Sequence, residues 1–160
     1  MKKAVICAMH CYTPDWGQEY YRPILDFFVK TMSRYKDEYD QLYIIDSNWG
    51  VPESSDYKVI KVNPSLRYYD AYKEVLPQIK EDAVLFFDND MVIYRKGIIE
   101  SAFEKLNNYD ASGILDEIGE WRSPALNNKT KFCPYFFCVK KDLLMKYRDV
   151  EWGDHMPHSE

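Results

Sequence analysis

The sequence predicts an α/β fold: a single Rossmann-like domain with a mixed, mostly parallel sheet and helices on both faces. Short apolar runs rich in β-branched and aromatic residues alternate, over the first two-thirds of the chain, with stretches of helical period. Such alternation is typical of parallel strands joined by right-handed crossovers. The length of 160 residues suits one hydrophobic core, so we expect one domain spanning residues 1–160.

The helices and strands are predicted from the spacing of apolar residues and from the residues that favour turns. Strands are predicted at residues 4–9, 41–45, 57–62, 83–87, 111–115 and 132–139. Helices are predicted at residues 19–39, 66–79, 95–106 and 141–147. Ser65 is placed to cap the second helix, and Pro77 is expected to end or kink it. The polar segment 116–131, which contains Trp121, is predicted to be a loop.

The amino-acid composition limits the classes of molecule that the protein is expected to bind. Hydrophobic residues make up 46% of the chain, which indicates a globular protein. The 21 basic and 26 acidic residues give a net charge of -5, so no nucleic-acid partner is expected, because nucleic acid requires a basic surface. A single nucleotide needs only a local cation and stays compatible with this charge.

The cysteines favour a reducing compartment. Cys7, Cys11, Cys133 and Cys138 lack the spacing of a zinc knuckle, so we expect free thiols. The apolar stretch at residues 4–9 is too short for a signal peptide, and no run reaches the roughly 20 apolar residues of a membrane helix. The expected location is cytoplasmic, with no transmembrane segment.

Asp88-Asn89-Asp90 is the most informative motif. It directly follows the apolar run 83–87, and bare carboxylates at a strand end are too costly to bury unpaired. Alternation along an extended chain puts Asp88 and Asp90 on one side, so both could face one cation. Hard oxygen ligands supplied by few protein groups suit Mg²⁺ or Mn²⁺ that also contacts a substrate phosphate.

Polar residues follow each of the first four predicted strands. His10, Asp46, Asn63 and the Asp88–Asp90 pair stand at these positions. Parallel strands bring their carboxyl ends to one edge of a sheet, and ligands of open α/β sheets bind in the crevice outside that edge. We therefore expect these side chains to share one rim.

The run Val84-Leu85-Phe86-Phe87-Asp88-Asn89-Asp90-Met91-Val92, placed after three strand–helix units, resembles the Asp-x-Asp motif of GT-A-type glycosyltransferases. That group includes the nucleotide-sugar-dependent enzymes of glycosyltransferase family 2. The resemblance covers the order of elements over nearly the whole chain. It implies a nucleotide-sugar donor, with a UDP-sugar expected, a sugar or glycan acceptor, and Mn²⁺ or Mg²⁺ as cofactor.

The resemblance also implies residue roles. Asp90 would hold the cation that bridges the nucleotide diphosphate, and Asp88 would contact the cation or the ribose beside Asn89. Asp46 would reach the base or ribose. The remaining nucleotide contacts would come from the loop after the first strand and from a basic residue near the diphosphate; these are His10, Tyr12, Thr13 and Arg67.

An inverting enzyme of this type needs a carboxylate to deprotonate the acceptor hydroxyl. The candidates are Asp154, Glu160, Glu117 and Asp116. His155 or His158 could supply a further metal ligand, because imidazole binds Mn²⁺. The chain is shorter than is usual for such enzymes, which leaves two alternatives open: a natural minimal enzyme, or a C-terminally short chain without its acceptor-binding part.

Three alternatives stay open. A GT-A-like domain could bind a nucleotide or glycan without turnover. A haloacid dehalogenase-type phosphatase would use Asp88 as nucleophile and Asp90 as the acid two residues on, although that motif normally opens its fold. A nucleotidyltransferase would be expected to have a Gly-rich triphosphate loop, and His10-Cys11-Tyr12-Thr13-Pro14 is not one.

Overall fold

A computed structural model describes residues 1–9, 18–66, 68–89, 91–116 and 131–149. Its strands are β1 (Lys3–Met9), β2 (Gln41–Asp46), β3 (Lys58–Lys61), β4 (Ala83–Phe87), β5 (Ala111–Asp116) and β6 (Lys131–Lys140). Its helices are α1 (Gln18–Ser33), α2 (Tyr68–Val75), α3 (Ile98–Lys105) and α4 (Lys141–Lys146).

The strands form one six-stranded sheet in the order β3-β2-β1-β4-β6-β5. The first four strands of the chain are parallel to one another, whereas β6 is antiparallel to both β4 and β5. The predicted α/β class with a mixed, mostly parallel sheet is therefore confirmed. Because β1 lies between β2 and β4, the carboxyl ends of these three strands are neighbours.

The core has two halves, one on each face of the sheet. Val5, Cys7 and Met9 of β1 point to one face, and the intervening residues of β1 point to the other. Helices α1 and α3 cover the first face with a set of fully buried side chains that includes Phe28, Met32, Ile99 and Phe103. Helix α2 covers the second face, mainly through Tyr72, Val75 and the following Leu76. Both faces are covered, as continuous apolar strands require.

Helix α1 is shorter than its apolar period predicts. It ends at Ser33, and the prediction that it reaches residue 39 is wrong. The hydroxyl of Ser33 donates to the carbonyl oxygen of Val29 at 2.7 Å, a bond that competes with the helical ladder. The N–H groups of Tyr35 and Glu38 then bond three residues back, so the chain tightens into turns.

The boundaries of α2 and α3 also differ from prediction. Helix α2 ends at Val75 and continues as a 3₁₀ turn, Leu76–Gln78, so Pro77 ends the α-helix as expected. The predicted cap by Ser65 is wrong, because its hydroxyl donates to Asn63 Oδ1 instead. Helix α3 begins at Ile98, not residue 95, since Gly97 has a φ of +86° and lies outside the helical region.

Cys7 and Cys138 are buried thiols that form no disulfide, as expected. Burial raises the pKa of Cys138 from 9.0 to about 12, so this thiol is a packing group and not a nucleophile. Within the described ranges, no helix has both the length and the apolar character needed to cross a membrane.

Candidate functional site

The carboxyl ends of β1, β2 and β4 meet at one edge of the sheet, as predicted. Met9 at the end of β1 is in register with Asp46 at the end of β2. On the other side of β1, Ile6 pairs with Phe86, and the side chain of Asn89, three residues further on, contacts Met9 Sδ. Asp46, Asp88 and Asn89 are therefore brought to a common rim.

The carboxylate of Asp46 is buried and engaged by its own loop. Its Oδ1 accepts the backbone N–H of Trp49 at 2.6 Å, and its Oδ2 accepts the N–H of Val51 at 3.1 Å. The residue is only 2% exposed. Its backbone carbonyl accepts the N–H of Val62, which ties the end of β2 to the chain leaving β3. Two charge-assisted bonds of this kind fix a loop firmly.

The loop that Asp46 holds, residues 47–52, forms one wall of a cleft. Asn48 has a φ of 80° and Gly50 a φ of 71°, a left-handed conformation that costs little at Asn and Gly. Between them, Trp49 turns toward α1, and its ring lies 4.1 Å, centroid to centroid, from the ring of Tyr21 at an angle of 38°. The two aromatic side chains thus join the loop after β2 to the first turns of α1.

The cleft has a volume of about 470 Å³, within the range of small-molecule sites. Met9, Leu25 and Val51 are the buried, non-aromatic apolar residues of its lining. Arg22 and Asp26, joined by a 3.2 Å ion pair and both largely exposed, provide its charged groups. The lining is completed by Tyr21, Pro23, Trp49, Gly50 and Pro52.

The start of the Asp88-Asn89-Asp90 motif lies beside this cleft. The side-chain amide of Asn89 donates to Met9 Sδ at 3.4 Å, and Met9 in turn lines the cleft. Asp88 and Asn89 are partly exposed. One carboxylate oxygen of Asp88 accepts the N–H of Asn89 at 3.1 Å, and the carbonyl of Asp88 accepts the N–H of Met91, so the chain turns at this point.

Asp88 fits a role as one oxygen ligand of Mg²⁺ or Mn²⁺, since it is a partly exposed carboxylate at the crevice edge. Among the residues that the structure describes, no group of three or more His, Cys, Asp or Glu side chains could hold a metal ion. Most of the predicted site residues lie outside that part of the chain; they are His10, Tyr12, Thr13, Arg67, Asp90, Glu117, Asp154, His155, His158 and Glu160. Asp116 is the last residue of β5.

Sequence reasoning missed Trp49, Tyr21, Arg22 and Asp26 as cleft residues. Tyr21 lies at helical spacing from Leu25 and Phe28, which indicates a core residue, and it is 8% exposed. A signal for Trp49 was present, because a large aromatic residue in a polar Asp-Ser-Asn-Trp-Gly loop has no place in a strand or helix core. Its pairing with Tyr21 depends on tertiary structure and could not be read from spacing.

No protein-family model matches this chain, and no curated protein matches it. Several solved structures are similar over almost its whole length. One is the bifunctional IspDF from Campylobacter jejuni, with a TM-score of 0.66 and 15% identity over 97% of this chain and 45% of that one. Another is CMP:2-keto-3-deoxy-manno-octonic acid synthetase in complex with CTP, with a TM-score of 0.65 and 9% identity over 96% of this chain and 80% of that one.

A third similar structure is TarS from S. aureus, with a TM-score of 0.59 and 17% identity. It covers 95% of this chain and 52% of that one, so the present chain spans about half the length of both TarS and IspDF. At identities this low, structural similarity establishes a shared fold only. The activity has to be inferred from the residues of the site. The chain therefore has the Rossmann-like α/β fold of these proteins.

Proposed function

We propose that this protein is a nucleotide-sugar-dependent glycosyltransferase of the GT-A type, which moves a sugar from a UDP-sugar to a hydroxyl group of a sugar or glycan acceptor. The observation that carries the proposal is the contact between Asn89 and Met9. It joins the Asp-x-Asp segment to the cleft between β1, α1 and the loop after β2. A nucleoside diphosphate has a flat base at one end and a diphosphate, which binds a cation, at the other. The cleft could take the base, and the neighbouring carboxylate of Asp88 could hold the cation.

The bound nucleotide would extend along the rim. Its nucleoside would occupy the cleft, and its diphosphate would lie toward Asp88 and Asp90. A divalent cation held by these acids, with a further ligand from His155 or His158, would neutralise charge on the leaving diphosphate. The other proposed nucleotide contacts are His10, Tyr12, Thr13 and Arg67. Asp46 supports this arrangement from below, because its two hydrogen bonds fix the cleft wall.

In the transfer step, the bond between the anomeric carbon and the diphosphate oxygen breaks, and its electron pair leaves with the nucleoside diphosphate. A new bond forms between that carbon and the acceptor oxygen. The acceptor's proton passes to a carboxylate base, for which Asp154, Glu160, Glu117 and Asp116 are the candidates.

The test is a thermal-shift screen of UDP-sugars with and without Mn²⁺, followed by an assay of UDP release with sugar acceptors. A ligand at a hundredfold excess over its Kd stabilises a protein by about 2.7 kcal/mol, which is readily measured. We expect stabilisation that requires the metal, and UDP release that requires an acceptor. Stabilisation without turnover on any acceptor would instead indicate a non-catalytic binding domain.

A nucleotidyltransferase is the second candidate, and the similarity to a synthetase that was solved with CTP favours it. The two candidates differ in the product that they release. A nucleotidyltransferase would join a nucleoside triphosphate to a sugar acid or sugar phosphate and release pyrophosphate, whereas a glycosyltransferase would release UDP. The absence of a Gly-rich sequence between His10 and Pro14 weighs against a triphosphate site there. Pyrophosphate release from CTP or UTP would decide for this candidate and against glycosyl transfer.

A further inference from the structure

We propose that Asp46 does not contact the nucleotide but braces the loop 47–52, and that Trp49 on this loop, backed by Tyr21, is the surface on which the nucleobase stacks. The inference rests on the proposed function, because it names the residues that would recognise the donor. It replaces the expectation that Asp46 itself reaches the base or ribose.

The first step is the engagement of Asp46. Each of its oxygens already accepts a backbone N–H, and the residue is 2% exposed. Each carboxylate oxygen has a second lone pair, but at 2% exposure a ribose hydroxyl could reach Asp46 only if the loop that carries Trp49 and Val51 moved away, which would leave their N–H groups without a charged acceptor. That loss would offset the gain from the new contact.

The second step is the rigidity of the loop that Asp46 holds. Ser47 Oγ donates to the carbonyl of Met9 at 3.0 Å, and the hydroxyl of Tyr57 donates to the carbonyl of Pro52 at 3.0 Å. The loop is therefore tied at its start, its middle and its end. A wall fixed before the ligand arrives binds more tightly, since little entropy is lost on binding.

The third step is the chemistry of the wall. Trp49 is partly exposed and lines the cleft, and its ring packs against that of the nearly buried Tyr21, which lines the cleft as well. The indole Nε1 of Trp49 is buried and has no hydrogen-bond acceptor among the described residues, so the ring contributes a face and not a hydrogen bond there. Every base offers a flat face, and stacking on an aromatic side chain gives substantial binding energy.

The fourth step is location. Met9 contributes to the cleft lining and also contacts Asn89, so a ring on Trp49 would lie on the same rim as the diphosphate site. Arg22 and Asp26 at the mouth carry hydrogen-bond donors and acceptors that could read the polar edge of a base. The geometry thus favours the nucleobase, and not the acceptor sugar, as the ring in this cleft.

The experiment compares the affinities of UDP and inorganic pyrophosphate, both with Mn²⁺, by calorimetry. For Trp49→Ala we expect a loss of about tenfold or more for UDP, with pyrophosphate affinity unchanged, because only UDP carries a base. Trp49→Phe keeps an aromatic face and should retain most of the UDP affinity. Tyr109→Ala removes an aromatic ring that is 64% exposed outside the cleft, and it serves as the matched control.

The substitution Asp46→Asn distinguishes support of the loop 47–52 by Asp46 from direct contact between Asp46 and the nucleotide. An amide can accept only on its oxygen, so one loop N–H loses its acceptor. Bracing predicts a lower urea midpoint together with weaker UDP binding, and weaker binding at an unchanged urea midpoint would contradict it. Asp56→Asn, at a largely exposed carboxylate outside the cleft lining, is the control.

The outcomes are distinguishable. If the wild-type protein binds neither UDP nor pyrophosphate with Mn²⁺, the proposed function fails and this inference fails with it. If the wild type binds UDP and Trp49→Ala binds it equally well, or loses pyrophosphate to the same extent, only the stacking role is overturned. A Trp49→Ala effect confined to the KM of the acceptor would assign the cleft to the sugar and would also overturn it.

Discussion

Glu38 Oε1 accepts the backbone N–H of Gly97 at 2.8 Å, although 59 positions of sequence separate the two residues. The second oxygen of the same carboxylate accepts the N–H of Glu100 at 3.1 Å. Helix α3 has no side-chain cap of its own at Gly97, so Glu38 satisfies donors that the first turn leaves open. It also places a negative charge where the helix dipole favours one.

Replacing Glu38 with alanine should destabilise the protein by about 1–3 kcal/mol, because two backbone donors lose a charged acceptor in a position that is almost fully buried. Glu38→Gln should lose less, since the amide oxygen still accepts one bond. Urea unfolding followed by circular dichroism measures both. The exposed Glu74→Ala in α2 should stay within about 0.5 kcal/mol of the wild type, and equal losses at both positions would contradict the capping role.

Tyr35 makes a second connection between the end of α1 and the segment that follows the Asp-x-Asp motif. Its hydroxyl donates to the carbonyl of Ile93 at 2.9 Å, and both residues are buried. Tyr35→Phe removes only this bond and should cost about 0.5–1.5 kcal/mol. Denaturant midpoints of the single variants and of the pair with Glu38→Gln would show whether the two contacts are coupled. A double variant whose loss equals the sum of the single losses would mean that they act independently.

Stability should fall as the pH rises above about 10. Burial, reinforced by the hydrogen bond to Glu81, raises the pKa of Tyr43 from 10.0 to about 12, and burial raises the pKa of Tyr39 to about 12 as well. Between pH 10 and pH 12 these tyrosines are deprotonated in the unfolded chain and still protonated in the folded chain, so a rise in pH favours unfolding. Each such tyrosine contributes a slope of at most about 1.4 kcal/mol per pH unit, and below pH 10 its contribution is constant.

Tyr43→Phe tests this directly. The variant cannot release the proton, so its stability should decline less steeply between pH 10 and 12 than that of the wild type. At neutral pH it should be less stable, because the buried Glu81 loses one of two donors on Oε2 and keeps the N–H of Lys80. Urea midpoints across pH 8 to 12 give both quantities, and parallel curves for the two proteins would exclude Tyr43 as a source of the alkaline loss.

The sequence allowed the sheet to be predicted well and the site only in outline. Strand β4 was predicted with its observed bounds, because five consecutive apolar residues end abruptly at Asp88. The common rim of β1, β2 and β4 could be predicted because parallel strands end at the same edge of a sheet. The end of α1 was missed since Tyr35 and Tyr39 continue the apolar period, whereas the α-helix ends at Ser33 and the following Glu38 bonds to the distant Gly97.

The environment of Asp46 shows why a site cannot be read from strand ends alone. A carboxylate after a strand can face the crevice or accept the N–H groups of its own loop, and both fit the same sequence. Asp-Ser-Asn followed by Gly50 did carry a turn signal, which the structure shows in the left-handed Asn48 and Gly50. The role of Trp49 depends on Tyr21, 28 positions earlier in the chain, and such a pairing requires the folded core.

Phe87 connects the core to the motif. It is 1% exposed, and its ring packs 5.6 Å from Phe28 and 5.7 Å from Phe136, centroid to centroid. Phe87→Ala should cost about 3–5 kcal/mol through lost burial and the cavity left behind, whereas Phe87→Leu should cost clearly less. Thermal and urea unfolding measure the difference. A loss below 1 kcal/mol for the alanine variant would contradict the observed packing.

The acids that follow Phe87 should behave in the opposite way. Asp88 is partly exposed at the rim, and under the proposed function it and Asp90 serve the cation, not the core. Asp88→Asn and Asp90→Ala should therefore abolish Mn²⁺-dependent UDP binding in calorimetry while the urea midpoint stays close to that of the wild type. Asp110→Asn, at an acid that is 71% exposed and paired with Lys140, should change neither quantity. A loss of several kcal/mol of stability in either motif variant would assign that acid a structural role, and UDP binding that survives both substitutions would remove the metal site from this rim.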